Sequence, residues 1–237
     1  MAAHTGWPVT EASAGSGPFE AAGRPVGHRT TMRANHAGVE LRRRLPRLLV
    51  GLVLCGLGIA SMVAADLGLG PWDVLHQGLS RRSGIPIGTT AILVGLVVLG
   101  LWFPLRERPG VGTVLNVIIV GAVIDLTLLV LVTPAALWLR WVMMLAGPVL
   151  FAIGSGYYIG AGLGSGPRDG VMTGLARRGI PVGVARAAIE LTVLLAGWLL
   201  GGTVGAGTLA FALGIGPLVH LFLPRLSVPD AADTREG

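Results

Sequence analysis

The sequence predicts an all-α polytopic membrane bundle: about six spans in two inverted three-span repeats, each interrupted by a short Gly-Pro-initiated half-helix. Three observations carry this. The 237 residues have a mean hydropathy of +0.73 and only 13% charge, where a soluble domain carries about 25%. From Leu48 to Leu223, apolar runs of about 18 to 22 residues, long enough to cross a hydrocarbon core, are separated by short polar gaps. The third observation is a duplication. Gly68-Leu69-Gly70-Pro71-Trp72-Asp73, continuing to Gly84-Ile85-Pro86-Ile87-Gly88, returns as Gly164-Ser165-Gly166-Pro167-Arg168-Asp169, continuing to Gly179-Ile180-Pro181-Val182-Gly183. The offset is 96 at the Gly-Pro pair and 95 at the last glycine.

Residues 1–40 are rich in small and polar residues and have no apolar period, which predicts a disordered tail. No apolar core with a small-residue cleavage site is present, so a signal peptide is not expected there. Arg42, Arg43, Arg44 and Arg47 then precede the first span. The spans are read at 48–66, 88–104, 111–132, 141–162, 183–200 and 204–223. They group into a first membrane repeat over 45–132 and a second over 138–225, with a polar tail over 226–237. The duplication extends into the third span of each half, where Gly110-Val111-Gly112-Thr113 matches Gly205-Ala206-Gly207-Thr208.

Segments 71–82 and 167–178 are too short to cross a bilayer upright. Pro71 and Pro167 suit a first helical turn, where a missing N–H costs nothing. Asp73 and Asp169 lie in that turn, where the helix dipole favours a carboxylate. Asp73, His76, Gln77 and Ser80 fall on one helical face, and Asp169 and Thr173 share a face in the second copy. These are read as half-helices, either re-entrant or lying at the interface.

Three spans per half is an odd number, so the halves would be oppositely oriented. Charge placement agrees. With the N-terminus inside, the inner segments carry ten arginines and the outer ones only Arg81, Arg82 and Arg140. Both termini are therefore expected in the cytoplasm of a bacterial cell.

Two helix N-termini at equivalent breaks suggest a site between the halves. Its expected members are Gly70, Pro71, Asp73 and His76, with Gly166, Pro167, Arg168 and Asp169 opposite. The glycines permit close backbone approach, and Arg168 adds a positive charge. The plainer reading is that each Gly-Pro starts a turn and each Asp caps it. Small residues recur every four positions at Gly56, Ala60, Ala64 and Gly68, and at Gly156, Gly160 and Gly164. They suggest close helix packing, with the two motif-bearing spans possible neighbours of each other. Among ionisable residues within spans, Asp125 and His220 occupy equivalent places, and Glu190 follows Arg186 by one turn and is expected to pair with it. Asp66 closes the first span at the interface, and Cys55 is expected only to pack.

No Cys or His cluster has metal-ligand spacing, no phosphate loop is present, and no Gly-x-Ser-x-Gly is followed by a base. An enzyme, a cofactor and a metal are not expected. The arginines sit at segment ends without interleaved aromatics, which argues against nucleic acid. The expected partners are the lipid bilayer and a small solute.

The Gly-Pro-x-Asp stretches, with Gly84-Ile85-Pro86-Ile87-Gly88, resemble the YczE/YitT group of bacterial integral membrane proteins over about residues 45–225. The resemblance implies a bacterial inner-membrane protein and no particular substrate. The function expected from the residues is transport or export of a small solute, anionic ones among those it would suit. The alternative is a non-transporting scaffold or regulator.

Overall fold

The computed structural model describes the backbone of residues 27–227 and the side chains of residues 41–227. All regular structure among them is helical. The helices are α1 (Gly27–Ala65), α2 (Pro71–Ser83), α3 (Ile87–Gly100), α4 (Trp102–Leu105), α5 (Val111–Leu128), α6 (Leu137–Gly160), α7 (Pro167–Ala176), α8 (Val182–Leu199) and α9 (Ala206–Leu226). Six stretches are long and apolar enough to cross a membrane: Leu41–Ala65, Ile87–Leu105 (α3 with α4), Val111–Leu128, Leu137–Gly160, Val182–Leu199 and Ala206–Leu226. These match the six predicted spans to within a few residues at most ends. The first starts seven residues early, because helix continues through the arginine run. Its backbone is helical back to Gly27, inside the stretch predicted to lack order. The rest of that predicted tail, 1–26, and the C-terminal residues 228–237 lie outside the described residues.

The spans carry their apolar side chains outward, as lipid requires. Leu96, Val97 and Leu101 of the second span are 51%, 69% and 49% exposed, and in α9 Leu209 and Leu213 are 67% and 76% exposed. In water such a surface would aggregate. Trp138, Trp141 and Trp198 are exposed at the start of α6 and the end of α8, a placement typical of membrane interfaces.

The core is built on glycine contacts between α1 and α6. A Cβ on Gly51 would stand 2.6 Å from the Gly154 carbonyl oxygen, and one on Gly154 would stand 2.6 Å from that of Gly51. One turn-pair further along, Gly58 and Gly147 meet in the same way, at 2.6 and 2.8 Å. As one helix advances the other retreats, so they run antiparallel. Gly51 and Gly147 are 96 positions apart, as are Gly58 and Gly154. The two helices thus offer each other the same pair of notches. Their arginines do likewise. Arg44 Nη1 donates to the Ala161 carbonyl at 3.4 Å, and Arg140 Nε donates to the Ala65 carbonyl at 2.7 Å. Both pairs of positions again differ by 96.

The expected small-residue stripes pack elsewhere. Gly56 lies against Val120 and Val123 of α5, and Gly156 against Phe222 and Leu226 of α9. At these positions each stripe seats a motif-bearing span on the third span of its own half, while the last members, Gly68 and Gly164, meet Thr208 and Thr113 of the opposite half. The line that joins α1 to α6 is a different one, five residues earlier on α1.

The breaks after α1 and α6 are closed from the opposite half. Gly68 (φ 114°) and Gly164 (φ 131°) take left-handed conformations that a side chain would strain. The Gly207 N–H donates to the Leu67 carbonyl at 2.8 Å, and the Gly112 N–H to the Leu163 carbonyl at 2.9 Å. Gly205 N–H and Gly110 N–H each donate to the threonine hydroxyl three residues on, Thr208 and Thr113, at 3.2 Å. The half-helices are held across the halves too. α2 packs on α8 and α3, and α7 packs on α8, α3 and α4. Gly78 of α2 meets Leu200, and Gly174 of α7 meets Leu105. The first eight residues of α2 are thus largely buried within the bundle, and its last turn, Arg81 to Ser83, is exposed.

The three arginines that break the charge asymmetry have local partners. Arg81 donates to the Gly201 carbonyl at 2.6 Å and to Thr203, and Arg82 to the Leu200 carbonyl at 3.4 Å, which caps α8. Arg140 lies 3.5 Å from Asp66, the interfacial carboxylate at the end of α1. At the equivalent places, Arg178 donates to the Pro104 carbonyl at 2.6 Å and Arg177 pairs with Glu107.

A side chain at the α1–α6 notch should separate the helices, and overpacking of this kind costs about 1–3 kcal/mol. Gly154→Val and Gly51→Val are expected to lower the detergent-solubilised melting temperature by similar amounts. Combined, they should cost less than the sum, since both act on one contact. Gly183→Ala should leave the melting temperature unchanged or raised, because a Cβ there meets nothing within 4 Å.

Candidate functional site

α2 and α7 begin alike because their sequences begin alike. Gly70 (φ −61°, ψ 154°) and Gly166 (φ −63°, ψ 155°) are extended N-cap residues, each followed by Pro in the first turn. The Asp73 and Val74 N–H groups donate to the Gly70 carbonyl at 2.9 Å, and the Gly170 N–H to the Gly166 carbonyl at 3.2 Å. Antiparallel packing of α1 on α6 brings these starts to the middle of the molecule, facing one cavity.

That cavity holds about 1010 Å³ and is lined by all eight expected residues: Gly70, Pro71, Asp73, His76, Gly166, Pro167, Arg168 and Asp169. Its walls come from α1, α3, α5, α6, α8 and α9, and they are mostly apolar. Asp73 and His76 are each 3% exposed, and Asp73 Oδ1 lies 3.3 Å from His76 Nδ1. Arg168 reaches across from α7 to 3.6 Å from the same oxygen. The Arg168 separation is an ion pair and the His76 one a close polar contact, and Asp73 Oδ1 has no hydrogen bond of good geometry. The Arg168 guanidinium also sits 5.0 Å over the Trp72 ring. Residues 72 and 168 are the equivalent positions at which the two motifs differ, and here they meet as cation and aromatic face. The positive charge that the sequence offers to a solute is therefore held by Asp73 and Trp72.

Asp169 differs from Asp73. It is exposed to the cavity, and Oδ2 accepts a hydrogen bond from the Tyr158 hydroxyl at 3.4 Å. Arg186 and Glu190 line the wall and pair with each other at 2.9 Å, as expected from their spacing. Gln77 leaves the predicted polar face of α2 to accept the Thr203 N–H at 2.7 Å, and Ser80 donates to the Ile85 carbonyl at 2.6 Å. Those two residues are structural.

Several lining residues were not legible as such. Trp72 is 8% exposed and its indole N–H has no hydrogen-bond partner. Tyr158, Phe211 and Ser155 also line the cavity. The only sequence signal for Tyr158 was its place on the motif-bearing span. Cys55 is 2% exposed, its Sγ lies 3.9 Å from the Ser155 hydroxyl, and it too lines the wall.

The third spans end the cavity differently in the two halves. Asp125 of α5 caps α3: its carboxylate accepts from Gly88 N–H at 2.6 Å and from Thr89 N–H and hydroxyl at 2.7 Å. Gly88 and Gly121 allow this closeness, for a Cβ on Gly121 would stand 2.5 Å from the Gly88 carbonyl oxygen. The equivalents of this trio, 95 positions on, are Gly183, Gly216 and His220. A Cβ on Gly183 or Gly216 would meet nothing within 4 Å, and His220 is exposed in the cavity wall. The clasp is shut in one half and open in the other. No group of three or more potential metal ligands occurs among the described residues.

The chain is similar to a family described as of unknown function, DUF6198, over residues 42–224. An uncharacterized protein of Haemophilus influenzae is 37% identical over 82% of this chain and 90% of its own length. The uncharacterized membrane protein YczE of Bacillus subtilis is 32% identical over 78% of this chain and 88% of its own. The uncharacterized protein YyaS of the same organism is 28% identical over 79% and 96%. No solved structure matches. With the family model covering every span and both Gly-Pro-x-Asp motifs, the chain belongs to the DUF6198 family and is a membrane protein similar to YczE.

Proposed function

We propose that the protein is a transporter of a small solute, built from two inverted three-span repeats that expose the central cavity to each side of the membrane in turn. The observation that carries this is the unequal clasp. Two halves of one design meet around a cavity, and equivalent helix pairs are closed in one half and parted in the other. In an inverted pair, that difference puts the opening on one side of the membrane. Exchanging the two arrangements would move the opening to the other side, with the Gly-Pro helix starts fixed between them. Support for inversion comes from the antiparallel α1–α6 contact and from the reciprocal bonds of Leu67 with Gly207 and Leu163 with Gly112. Support for both termini inside comes from the arginine asymmetry, now that Arg81, Arg82 and Arg140 have local partners. On that topology the parted clasp faces the cytoplasm of a bacterial cell. The alternative, a rigid scaffold or regulator, has no use for clasps that differ.

The exchange is testable without knowing the solute. In a Cys55→Ser background, cysteines replacing Gly183 and Gly216 should crosslink under mild oxidation, although the two sites are now open. In the crosslinked protein, a cysteine replacing Thr89 should gain reactivity with an impermeant maleimide as α3 leaves Asp125. A protein that neither crosslinks nor changes at position 89 is the rigid scaffold.

Topology is a separate test. Reporter fusions after Arg108 and after Arg225 should both report cytoplasm, and one in the 129–136 loop the opposite side. A cytoplasmic signal from 129–136 would make the repeats parallel and remove the basis for alternating exposure.

A further inference from the structure

We infer that the solute is a monovalent organic cation with an apolar body, held by Asp169. This rests on the cavity being a solute site, as proposed above. The argument is one of charge placement. Two arginines and three carboxylates line the cavity. Arg168 is engaged by Asp73 at 3.6 Å and by the Trp72 ring, and Arg186 by Glu190 at 2.9 Å. Asp169 is the carboxylate left over. It has the Tyr158 hydroxyl but, among the described residues, no cation within ion-pair distance, and it faces the cavity. The N-terminus of α7 offsets about half a charge, and the carboxylate is open to a cavity whose walls are mostly apolar. A cation entering the cavity supplies the missing partner.

The walls select the kind of cation. A metal ion asks for several oxygen ligands at close range. Here one carboxylate, without a cationic partner among the described residues, shares a space of about 1010 Å³ with Tyr158, Phe151 and Phe211, at the upper end of small-molecule sites. Aromatic faces and a single carboxylate suit an ammonium carried on a hydrocarbon frame. The two helix N-termini by themselves would favour an anion, but Asp73 and Asp169 already occupy them, and Arg168 is committed.

Calorimetric titration of the purified protein in detergent, with three probes of one shape, tests this: benzylamine (charged near neutral pH), benzyl alcohol and benzoate. Benzylamine should bind more tightly than benzyl alcohol, and benzoate should not bind measurably. Asp169→Asn should weaken benzylamine about tenfold or more, the size of one charge-assisted contact, and leave benzyl alcohol unchanged. Asp169→Glu should retain the preference for the cation. Benzoate binding as well as benzylamine, no binding of benzylamine, or an Asp169→Asn protein with undiminished cation affinity would overturn the inference. If Asp169→Asn does not fold, the ranking of the three probes on the native protein decides. Because the readout is binding, cation binding by a protein that fails the crosslinking test would sink the transport reading and leave the cation site standing.

Discussion

The chain breaks between helices at two equivalent places, leaving peptide groups that must find partners within the protein, and everything else in this molecule follows from how those groups are closed. The runs break after Ala65 and after Gly160. Each break is sealed by the first turn of the third span of the other half, through the Leu67 carbonyl in one case and the Leu163 carbonyl in the other. Backbone of this sort is tolerated only where protein covers it. Neither half can supply its own cover, so the halves interlock. The glycine notches on α1 and α6 are what bring the breaks within reach.

Interlocking also decides what the site contains. With α1 and α6 antiparallel, the two Gly-Pro starts converge, and side chains from equivalent positions face each other. Trp72 and Arg168 show what divergence between the copies achieves. Two tryptophans or two arginines there would stack poorly or repel, whereas one of each makes a contact and leaves Arg168 beside Asp73. The same step strips Asp169 of a partner. Asp125 and His220 diverge in the same manner, and only the carboxylate can accept three hydrogen bonds from the start of a helix. The difference between the clasps is therefore written in side chains as well as in backbone position.

Much of this was legible in the sequence. The six spans were visible because lipid demands long uninterrupted apolar runs. Six of the eight cavity residues were visible because Gly, Pro and an acidic residue recur at the same spacing at two helix starts, and His76 and Arg168 were visible by their places on those two short helices. The Arg186–Glu190 pair followed from helical geometry. What stayed hidden depended on which helix meets which. Gly51, Gly58, Gly147 and Gly154 are four glycines among thirty-eight, and nothing local marks them as the pair of notches. The stripe at Gly56 and Gly156 looked equally suited and turned out to seat α5 and α9. Arg81, Arg82 and Arg140 looked like exceptions to a charge rule until their carbonyl partners were seen. Arg168 looked free for the same reason, and in the fold it lies beside Asp73 and over the Trp72 ring.

The central claim is that the two clasps exchange. Pulsed electron-resonance distances in lipid nanodiscs test it most directly, with one spin-label pair at Pro86 and Leu129, at the facing ends of α3 and α5, and another at Val182 and Leu221 across α8 and α9. The account predicts two populations at each pair, with the first pair lengthening under the conditions in which the second shortens, and a redistribution between them on addition of benzylamine. A single distance at both pairs, unmoved by ligand, would contradict it.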